Sequence, residues 1–281
     1  MADRRRAEEL AAFLRSRRRM LTPGDVGLPD GVGNRRATGL RREEVAAAAS
    51  ISADYYTRLE QGRRSASDSV LAALSRALRL TDVERRYLLD LARSPVDDAA
   101  DDGRARQLRP GLRTLMDGVQ HAPALVLGPG MQVLAWNPML AAVLIDLAPL
   151  PVEERNLVWL TFMNAEYQSR FLDLDSTKDA TLGYLRRDRV MHPLRQEHSD
   201  ALIARLSETS AEFRRRWQAH PIGIRDQGPV LLRVPGIGDL EMLWESFTSD
   251  VDGSQALVLF TVEERSETAA RLDRLRAGGV G

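Results

Sequence analysis

Side chains suited to contacting the edges of nucleotide bases are concentrated in one short run, which contains Ala53, Asp54, Tyr55, Thr57 and Arg58. A methyl group can pack against the C5-methyl of thymine, a carboxylate can accept a hydrogen bond from cytosine N4, and a threonine can do either. Arginines flank the run on both sides, and guanidinium groups bind phosphate without reading the base sequence. The chemistry of these residue types allows contact with nucleic acid.

Two short helices joined by a tight turn are predicted for the stretch Leu40–Gly62, which contains this run. Val45 and Ala46 give the first helix a face of small residues, which lets another helix approach closely. Tyr56 and Leu59 supply apolar bulk from the second helix. A compact pair of this kind, with a short polar surface beside arginines, is the helix-turn-helix arrangement, whose second helix lies in the major groove of DNA.

Apolar residues at helical spacing extend this pattern over the first third of the chain. Ser52 is the predicted N-cap of the second helix of the pair. The segment 22–34 is rich in Gly and Pro and predicts a loop. The amino-terminal part is therefore expected to form five helices, over residues 2–21, 41–49, 53–61, 68–78 and 83–92.

Charge is unevenly distributed, although the formal net charge of the 281 residues is zero. Residues 1–80 contain 16 Arg against 10 Asp and Glu, a net charge of +6, so the remaining residues carry −6. A basic module attached to an acidic body is typical of a protein whose nucleic-acid contact is confined to one end. The length also suggests about two domains, at roughly 100–200 residues per domain.

The boundary between the two domains is predicted at SPVDDAADDGRAR, residues 94–106, which contains a Pro, a Gly, four Asp and almost no bulky apolar side chains. This composition is typical of a linker. We therefore expect a helix-turn-helix domain in residues 1–93 and a second domain in residues 107–281.

The second domain is predicted to be α+β, because its strands come early and late with helices between them. Helices are expected over 109–119, through most of 138–219, and over 265–276. Strands are expected over 124–127, 131–136, 230–234, 240–247 and 256–262. The last of these is nearly continuous in apolar residues, as for a central strand. The fold class is thus mainly α, with an α+β carboxy-terminal domain.

Several classes of protein are excluded by composition. No run approaches the ~18 apolar residues that a membrane span needs, and the first residues lack the apolar segment of a signal peptide. The absence of Cys excludes disulfides and thiolate sites. His192 and His198 flank Glu197, but a Pro follows the first His and no third ligand is evident, so we expect no metal site and no cofactor. The lack of a membrane span, a signal peptide and cysteine predicts a cytoplasmic protein. Because no catalytic constellation is found, the chain is not expected to be an enzyme.

The stretch Leu40–Gly62 resembles the helix-turn-helix of the xenobiotic-response-element (XRE) family, the phage-repressor-like regulators. A closer resemblance, to the actinobacterial MmyB-like regulators, rests on DVGLP at 25–29, TGLRREEVA at 38–46, YYTRLEQG at 55–62 and VLAALSRAL at 70–78. It continues through RPGLRTLMD at 109–117, APALVLG at 122–128, VLAWNP at 133–138, ERNLVWLTF at 154–162 and SAEFRRRW at 210–217. One departure is Ser50, at a turn position where the family usually has glycine.

The resemblance implies a transcriptional regulator with a lambda-repressor-like domain that binds a double-stranded DNA operator, as a homodimer associated with the nucleoid. Carried over by position, the base contacts come from Ala53, Asp54, Tyr55, Thr57 and Arg58. The phosphate contacts come from Arg35, Arg36, Arg41, Arg42, Arg63 and Arg64. Two of these residues have alternatives within the protein: Arg58 can pair with Glu60 or Glu44, and Asp54 can cap the helix or orient an arginine.

The resemblance also implies a PAS-like carboxy-terminal domain that accepts a small apolar ligand, such as a long-chain fatty acid. Aromatic side chains can line such a site, and a carboxylate ligand needs a polar partner at its end. The residues predicted to bind the ligand are Trp136, Asn137, Asn156, Trp159, Phe162, Phe171, Tyr184, Trp217 and Trp244. Two alternatives stay open: the aromatic residues form an ordinary core, or the domain serves only dimerisation or contact with another protein.

Overall fold

The computed structural model describes residues 2–27, 39–92, 107–192, 196–219, 229–248 and 254–278. The chain divides into two compact units, one of Met1–Val96 with Arg216–Ile222 and the other of Asp97–Arg215 with Gly223–Gly281. The predicted linker at 94–106 lies outside the described residues, and so do Arg35 and Arg36 among the predicted phosphate contacts.

Five helices form the first third of the chain within the described residues, as the hydrophobic periodicity predicts. They are α1 Ala2–Met20, α2 Arg42–Ala48, α3 Ala53–Glu60, α4 Asp68–Ala77 and α5 Asp82–Ala92. Their apolar stripes meet in a core that completely buries Leu14, Val45, Tyr56, Leu59 and Leu88. Phe13 of α1 packs edge-on against Tyr87 of α5, with ring centroids 5.3 Å apart. This aromatic contact holds the first and last helices of the unit together.

The turn between α2 and α3 closes through a left-handed residue, Ser50, whose φ is +56°. The N–H of Ser50 donates to the carbonyl of Ala47 at 3.1 Å. The N–H of Ile51 donates to the carbonyl of Ala46 at 2.9 Å. These two bonds form the Schellman motif that ends many helices. Serine thus takes up a conformation that glycine adopts at lower cost, and the departure from the family's glycine leaves the turn intact.

Close packing of α1 explains two glycines of the quoted motifs. Gly62 follows α3 with a φ of +68°, and a Cβ there would lie 3.0 Å from the carbonyl oxygen of Ala7. Gly39 precedes α2, and a Cβ there would lie 2.6 Å from the Cα of Arg19. A side chain at either position would push α1 away from the helix pair.

The carboxy-terminal unit has its strands early and late, with helices between them. The described helices after the first five are α6 Pro110–Gly118, α7 Pro138–Val143, α8 Leu157–Met163, α9 Ala165–Ser169, α10 Leu174–Met191, α11 Gln196–Thr209, α12 Ala211–Ala219 and α13 Glu267–Ala277. All lie in the carboxy-terminal unit except the end of α12, which from Arg216 onward belongs to the amino-terminal unit. Its strands are β1 Ala124–Leu127, β2 Val133–Trp136, β3 Pro229–Val234, β4 Gly238–Thr248 and β5 Ala256–Thr261. The predicted α+β class is confirmed. Within the part of the chain described, no helix combines the length and the apolar character needed to span a bilayer.

The five strands form one antiparallel sheet in the order β2-β1-β5-β4-β3. β5 is the central strand, as its nearly continuous apolar sequence predicts. A short backbone segment lies against each edge of the sheet: Phe171 bridges to Leu232 of β3, and Asn156 bridges to Gln132 just before β2. Covered edges do not offer a row of backbone groups to another chain.

Helices cover both faces of the sheet. α6 lies on one face, where Met116 packs with Ala124, Val126, Ala135 and Leu257. The other face bears a larger core to which α7, α8, α9 and α13 contribute, and which includes Leu140, Leu160, Tyr167, Leu232 and Leu272. The sheet is therefore a middle layer, and its alternating side chains serve two cores.

β2 begins at Val133, two residues later than the sequence predicts. Pro129–Met131 instead form a turn of 3-10 helix, in which Gly130 and Met131 have φ of +64° and +67°. Extended backbone requires a negative φ, so the strand starts only after this turn.

Asn137, which is buried, joins three parts of the carboxy-terminal unit. Its Oδ1 accepts hydrogen bonds from the backbone N–H of Ala124 in β1 at 3.0 Å and of Leu140 in α7 at 2.9 Å. Its Nδ2 donates to the carbonyls of Val119 and Ala122, at 2.7 and 2.8 Å. Backbone groups therefore use all four hydrogen-bonding positions of this amide.

Replacing Asn137 with alanine is expected to lower the free energy of unfolding by about 3 kcal/mol, because several buried backbone groups lose a partner at roughly 1–3 kcal/mol each. Denaturant titration of the full chain measures the loss. Asn164→Ala is the matched control, since the Asn164 side chain also caps a helix but accepts from the N–H of Tyr167 alone, at 2.8 Å. Its expected loss is about 1 kcal/mol. Equal losses for the two variants would contradict the role given to Asn137.

Candidate nucleic-acid interface and ligand site

Helix α3 has one buried side and one side open to solvent. It begins after Ser52, whose Oγ accepts a hydrogen bond from the N–H of Tyr55 at 3.1 Å, so the predicted N-cap is confirmed. Tyr56 and Leu59 are buried in the core. The five predicted base-contact residues all lie outside it: Ala53, Asp54 and Arg58 are exposed, and Tyr55 and Thr57 are half-buried.

The two hydroxyls on this side of α3 are already committed as donors. The Tyr55 hydroxyl donates to the carbonyl of Ser65 at 3.1 Å, and the Thr57 hydroxyl donates to the carbonyl of Ala53 at 2.8 Å. Each oxygen keeps lone pairs that can accept. Toward a base edge, both side chains are therefore suited to accept from the exocyclic amino groups of adenine or cytosine.

Arg58 pairs with Asp54, one turn earlier on α3, with 2.9 Å between Nη2 and Oδ2. Neither Glu60 nor Glu44, the two partners considered from the sequence, is involved. The spacing favours this pair, because residues four apart on a helix are neighbours and an acid on the N-terminal side suits the helix dipole. Asp54 therefore orients an arginine, which is one of the alternatives that the sequence left open.

Glu60, the last residue of α3, is a buried carboxylate that binds side chains from two other helices. Its Oε1 lies 2.5 Å from Nε of Arg18 in α1, and its Oε2 lies 2.5 Å from Nε of Arg42 in α2. The Tyr56 hydroxyl donates to Oε1 at 3.2 Å. Arg15 of α1 donates to the backbone carbonyl of the same glutamate at 2.7 Å. We call these residues the Glu60 cluster; it ties α3 to α1 and α2.

The Glu60 cluster keeps its carboxylate ionised. Burial by itself would raise the pKa of Glu60, but the hydrogen bonds from Arg18 and Arg42 outweigh burial and lower that pKa below its ordinary value. Burial and the nearby carboxylate charge raise the pKa of the Tyr56 hydroxyl, which therefore stays protonated and can donate. Glu60 was not among the predicted site residues, although it lies four residues after Tyr56, on the buried side of the helix.

Three arginines beside α3 are exposed and make no ion pair within the described ranges: Arg41, Arg63 and Arg64. Arg41 immediately precedes α2, and the other two follow Gly62 at the end of α3. Arg42 differs from them because its guanidinium is held by Glu60. The structure therefore separates arginines that face solvent from one that also stabilises the fold.

The predicted ligand-binding aromatics fall into two groups, all in the carboxy-terminal unit except Trp217, which lies in the part of α12 assigned to the amino-terminal unit. Trp136, Phe171 and Trp244 are half-buried and pack against the larger core of the sheet. Tyr184 of α10 packs edge-on against Trp244, with ring centroids 4.9 Å apart, and burial raises the pKa of its hydroxyl. Strand pairing places Trp136 and Trp244 on the same face of the sheet. These four residues are therefore candidates for one apolar surface.

The second group lies among the helices. The guanidinium of Arg205 stacks on Trp159 at 3.8 Å from the ring centroid, and Phe162 packs edge-on against Phe213. Lys178, the chain's only lysine, is buried; its ammonium bonds to Glu212 at 2.8 Å and lies over the Phe162 ring. Trp159 and Phe162 are more than nine-tenths buried, as core residues are. Trp217 is half-buried near the end of α12.

The two predicted asparagines serve the backbone. Asn137 uses its whole amide in the bonds described above. Asn156 caps α8, accepting from the N–H of Val158 at 2.9 Å and of Trp159 at 3.3 Å, and it donates to the carbonyl of Gly130 at 2.8 Å. To bind a carboxylate, either side chain would have to give up bonds that hold buried backbone groups.

Among the residues described, no three His, Asp or Glu side chains are grouped so that they could hold a metal ion. His192 is half-buried just after α10, and His198 lies on α11.

Glu60→Gln is expected to lower the free energy of unfolding by about 3 kcal/mol at pH 7, because it leaves Arg18 without its buried counter-ion. The folded-state pKa of Glu60 is depressed, so its contribution is fully present above the unfolded value of about 4.3 and is lost as pH falls through the lower folded value. The difference in free energy of unfolding between the wild type and the variant should therefore become smaller below about pH 4. Denaturant titrations from pH 3 to 7 measure it, and a gap that does not change with pH would contradict this account.

Comparison with known families agrees with this geometry. A family model for a helix-turn-helix domain matches residues 9–88. A second model, described as the MmyB-like transcription regulator ligand binding domain, matches residues 108–275, more than half of the chain. A search of curated proteins finds no match. A helix-turn-helix domain followed by this ligand-binding domain defines a transcriptional regulator, and the chain belongs to the MmyB-like transcription regulators.

Proposed function

We propose that this regulator recognises a specific operator in double-stranded DNA by placing α3 in the major groove. The exposed side of α3, with Asp54 and Arg58 at the surface, carries this proposal. The helix is held on its other side by the core and by the Glu60 cluster, so base contacts require no unpacking. The regulator then acts in the cytoplasm, on the DNA of the nucleoid.

Phosphate contacts from Arg41, Arg63 and Arg64 position the helix on the duplex. These side chains are exposed on either side of α3 and have no competing carboxylate among the described residues. Arg42 can still reach a phosphate, because 44% of its side chain is exposed. Arg35 and Arg36 complete the proposed set.

Changing Arg41, Arg63 and Arg64 together to alanine should weaken binding to every duplex, because phosphate contacts carry no sequence information. The slope of log K against log salt should fall in magnitude by about 2 to 3 for each bound subunit, and so by about 5 for a homodimer, since each contact contributes ~0.9. Fluorescence anisotropy at several salt concentrations measures the slope. Arg113→Ala, which removes an exposed arginine of α6 in the other unit, should leave it unchanged. An unchanged slope in the triple variant would remove these residues from the interface.

Operator recognition is proposed to involve a homodimer. A helix of eight residues offers few side chains to base edges, and regulators of this fold gain specificity by binding two half-sites about one helical turn apart, or a multiple of that. The operator is then expected to be an inverted repeat.

The carboxy-terminal domain is proposed to bind a small apolar ligand such as a long-chain fatty acid. Trp136, Phe171, Tyr184 and Trp244 are the proposed lining, because they are half-buried on the sheet face that bears the larger core. The nearly complete burial of Trp159 and Phe162, and the backbone bonds of Asn137 and Asn156, favour structural roles for these four. Ligand control of DNA binding requires different affinities for the two arrangements of the regulator.

A second role for this domain, contact with another protein or a second copy without a ligand, is favoured by one observation. The sheet face that α6 covers is exposed toward β3 and β4, where Leu231, Leu243 and Phe247 have 39%, 46% and 56% of their surface accessible. Glu241 and Glu245 lie on the same face of β4, and exposed apolar residues with charged residues between them are compatible with a contact surface.

Two variants on β4 separate these roles, because Trp244 and Phe247 lie on opposite faces of the sheet. Trp244→Leu should reduce retention of a long-chain fatty acid several-fold, while Phe247→Ser should leave retention unchanged. Native mass spectrometry of the full chain, before and after delipidation and re-addition of palmitate, reports both the ligand and the oligomeric state. If delipidated wild type fails to rebind and Phe247→Ser alone alters the oligomer, the ligand role is wrong and the contact role holds.

A further inference from the structure

The ion pair between Asp54 and Arg58 lies on the surface that α3 would turn toward DNA. The two side chains are 71% and 55% exposed, and neither contributes to the core. Tyr56 and Leu59, on the other side of the helix, are buried. The pair is therefore placed where it can meet a base, while an exposed pair of this kind adds little to stability.

The chemistry of the pair points to one base. The arginine carries five N–H donors in a planar fork, and the bond to Asp54 uses Nη2. Enough donors are left for two parallel bonds, which is the arrangement that matches O6 and N7 of guanine in the major groove. Lysine has no such fork, and the hydroxyls of Tyr55 and Thr57 are committed as donors elsewhere. Arg58 is thus the side chain on this surface best suited to a guanine.

The carboxylate changes what the arginine can do before DNA arrives. An arginine at a helix surface samples many rotamers, and ordering it on binding costs roughly 0.5–1.5 kcal/mol, or about 3- to 10-fold in affinity. Asp54 holds the guanidinium beside the helix in the absence of DNA. It also offsets the arginine's charge, which disfavours a simple phosphate contact relative to a directed base contact.

We propose that Asp54 and Arg58 act as one unit that reads a guanine in the operator, with Arg58 contacting the base and Asp54 as the positioning residue. This inference rests on the proposed binding of α3 in the major groove and adds the base that is read. It distinguishes Arg58 from Arg41, Arg63 and Arg64, whose proposed contacts are to phosphate.

The test begins with selection of bound duplexes from a randomised pool by the full chain. The best duplex is then re-measured with each guanine replaced in turn. In the wild type, one guanine per half-site should be worth about 5- to 100-fold in affinity, the range of a good bidentate contact. Arg58→Ala should abolish that preference, and Arg58→Lys should keep a weaker one. Asp54→Asn should reduce it by about 3- to 10-fold at the same guanine.

Preference, and not affinity, is the readout, because Asp54→Asn also removes a negative charge near phosphate and should tighten binding to every duplex. Asp54→Asn in the Arg58→Ala background should have no further effect on the guanine preference. Asp82→Asn is the matched control: it breaks another exposed ion pair of the same unit, with Arg85 on α5, and should change no preference. All variants should unfold at the wild-type denaturant midpoint, since both pairs are at the surface.

Three results would overturn the inference while leaving the proposed function standing. The first is a guanine preference that survives Arg58→Ala. The second is an effect of Asp54→Asn at a position other than the one read by Arg58. The third is a loss of affinity in Arg58→Ala that is equal for all duplexes and comes with a smaller salt dependence, which would make Arg58 a phosphate contact. Failure of the wild type to enrich any sequence would instead overturn the proposed operator recognition, and this inference with it.

Discussion

The packing of α3 in the amino-terminal unit depends on a buried charge, the carboxylate of Glu60. This group is costly to bury, and it is tolerated because Arg18 and Arg42 approach its two oxygens from α1 and α2 while the Tyr56 hydroxyl supplies a further bond. An apolar residue at this position could fill the same space, but it would not bind two guanidinium groups in defined directions. The carboxylate therefore determines how α3 is oriented relative to the two helices that support it.

That orientation matters because a recognition helix is useful only if its outer side chains are placed to within a fraction of an ångström. The carboxyl end of α3 is held by the Glu60 cluster and by Gly62, where α1 passes so closely that a Cβ would meet the backbone of Ala7. Its amino end is held by Ser52. Between these points, the helix exposes Asp54 and Arg58 without giving up core contacts.

In the carboxy-terminal unit, buried side-chain amides rather than a carboxylate join the elements. Its sheet is antiparallel, and the strands are joined by turns and helices whose ends leave backbone groups to be satisfied inside the protein. Asn137 and Asn156 bond to those groups and are buried. These bonds join the sheet to the helices around it, beside the half-buried Trp136, Phe171 and Trp244 that are proposed to contact a ligand. Trp159 is more than nine-tenths buried, as core residues are.

Much of this architecture could be predicted from local sequence. Helical spacing predicted all five amino-terminal helices, the apolar run at 256–262 predicted the central strand, and Ser52 was predicted as an N-cap because the effect is local. The predicted start of β2 was wrong because the pattern of apolar residues does not reveal the positive φ values at Gly130 and Met131. The partner of Arg58 was missed for a different reason: Glu60 and Glu44 were considered, whereas Asp54, one turn earlier on the same helix, forms the pair.

The sequence by itself determined the class of each domain, the helix-turn-helix and the side of α3 that is apolar, because these follow from the period of the side chains along the backbone. Only the tertiary structure decided that Glu60 and Arg42 are joined in a buried cluster, that Asn137 and Asn156 serve the backbone, and which aromatics are half-buried. Burial and pairing depend on residues distant in the chain that folding brings together, so their effects on charge and hydrogen bonding exist only once the chain has folded.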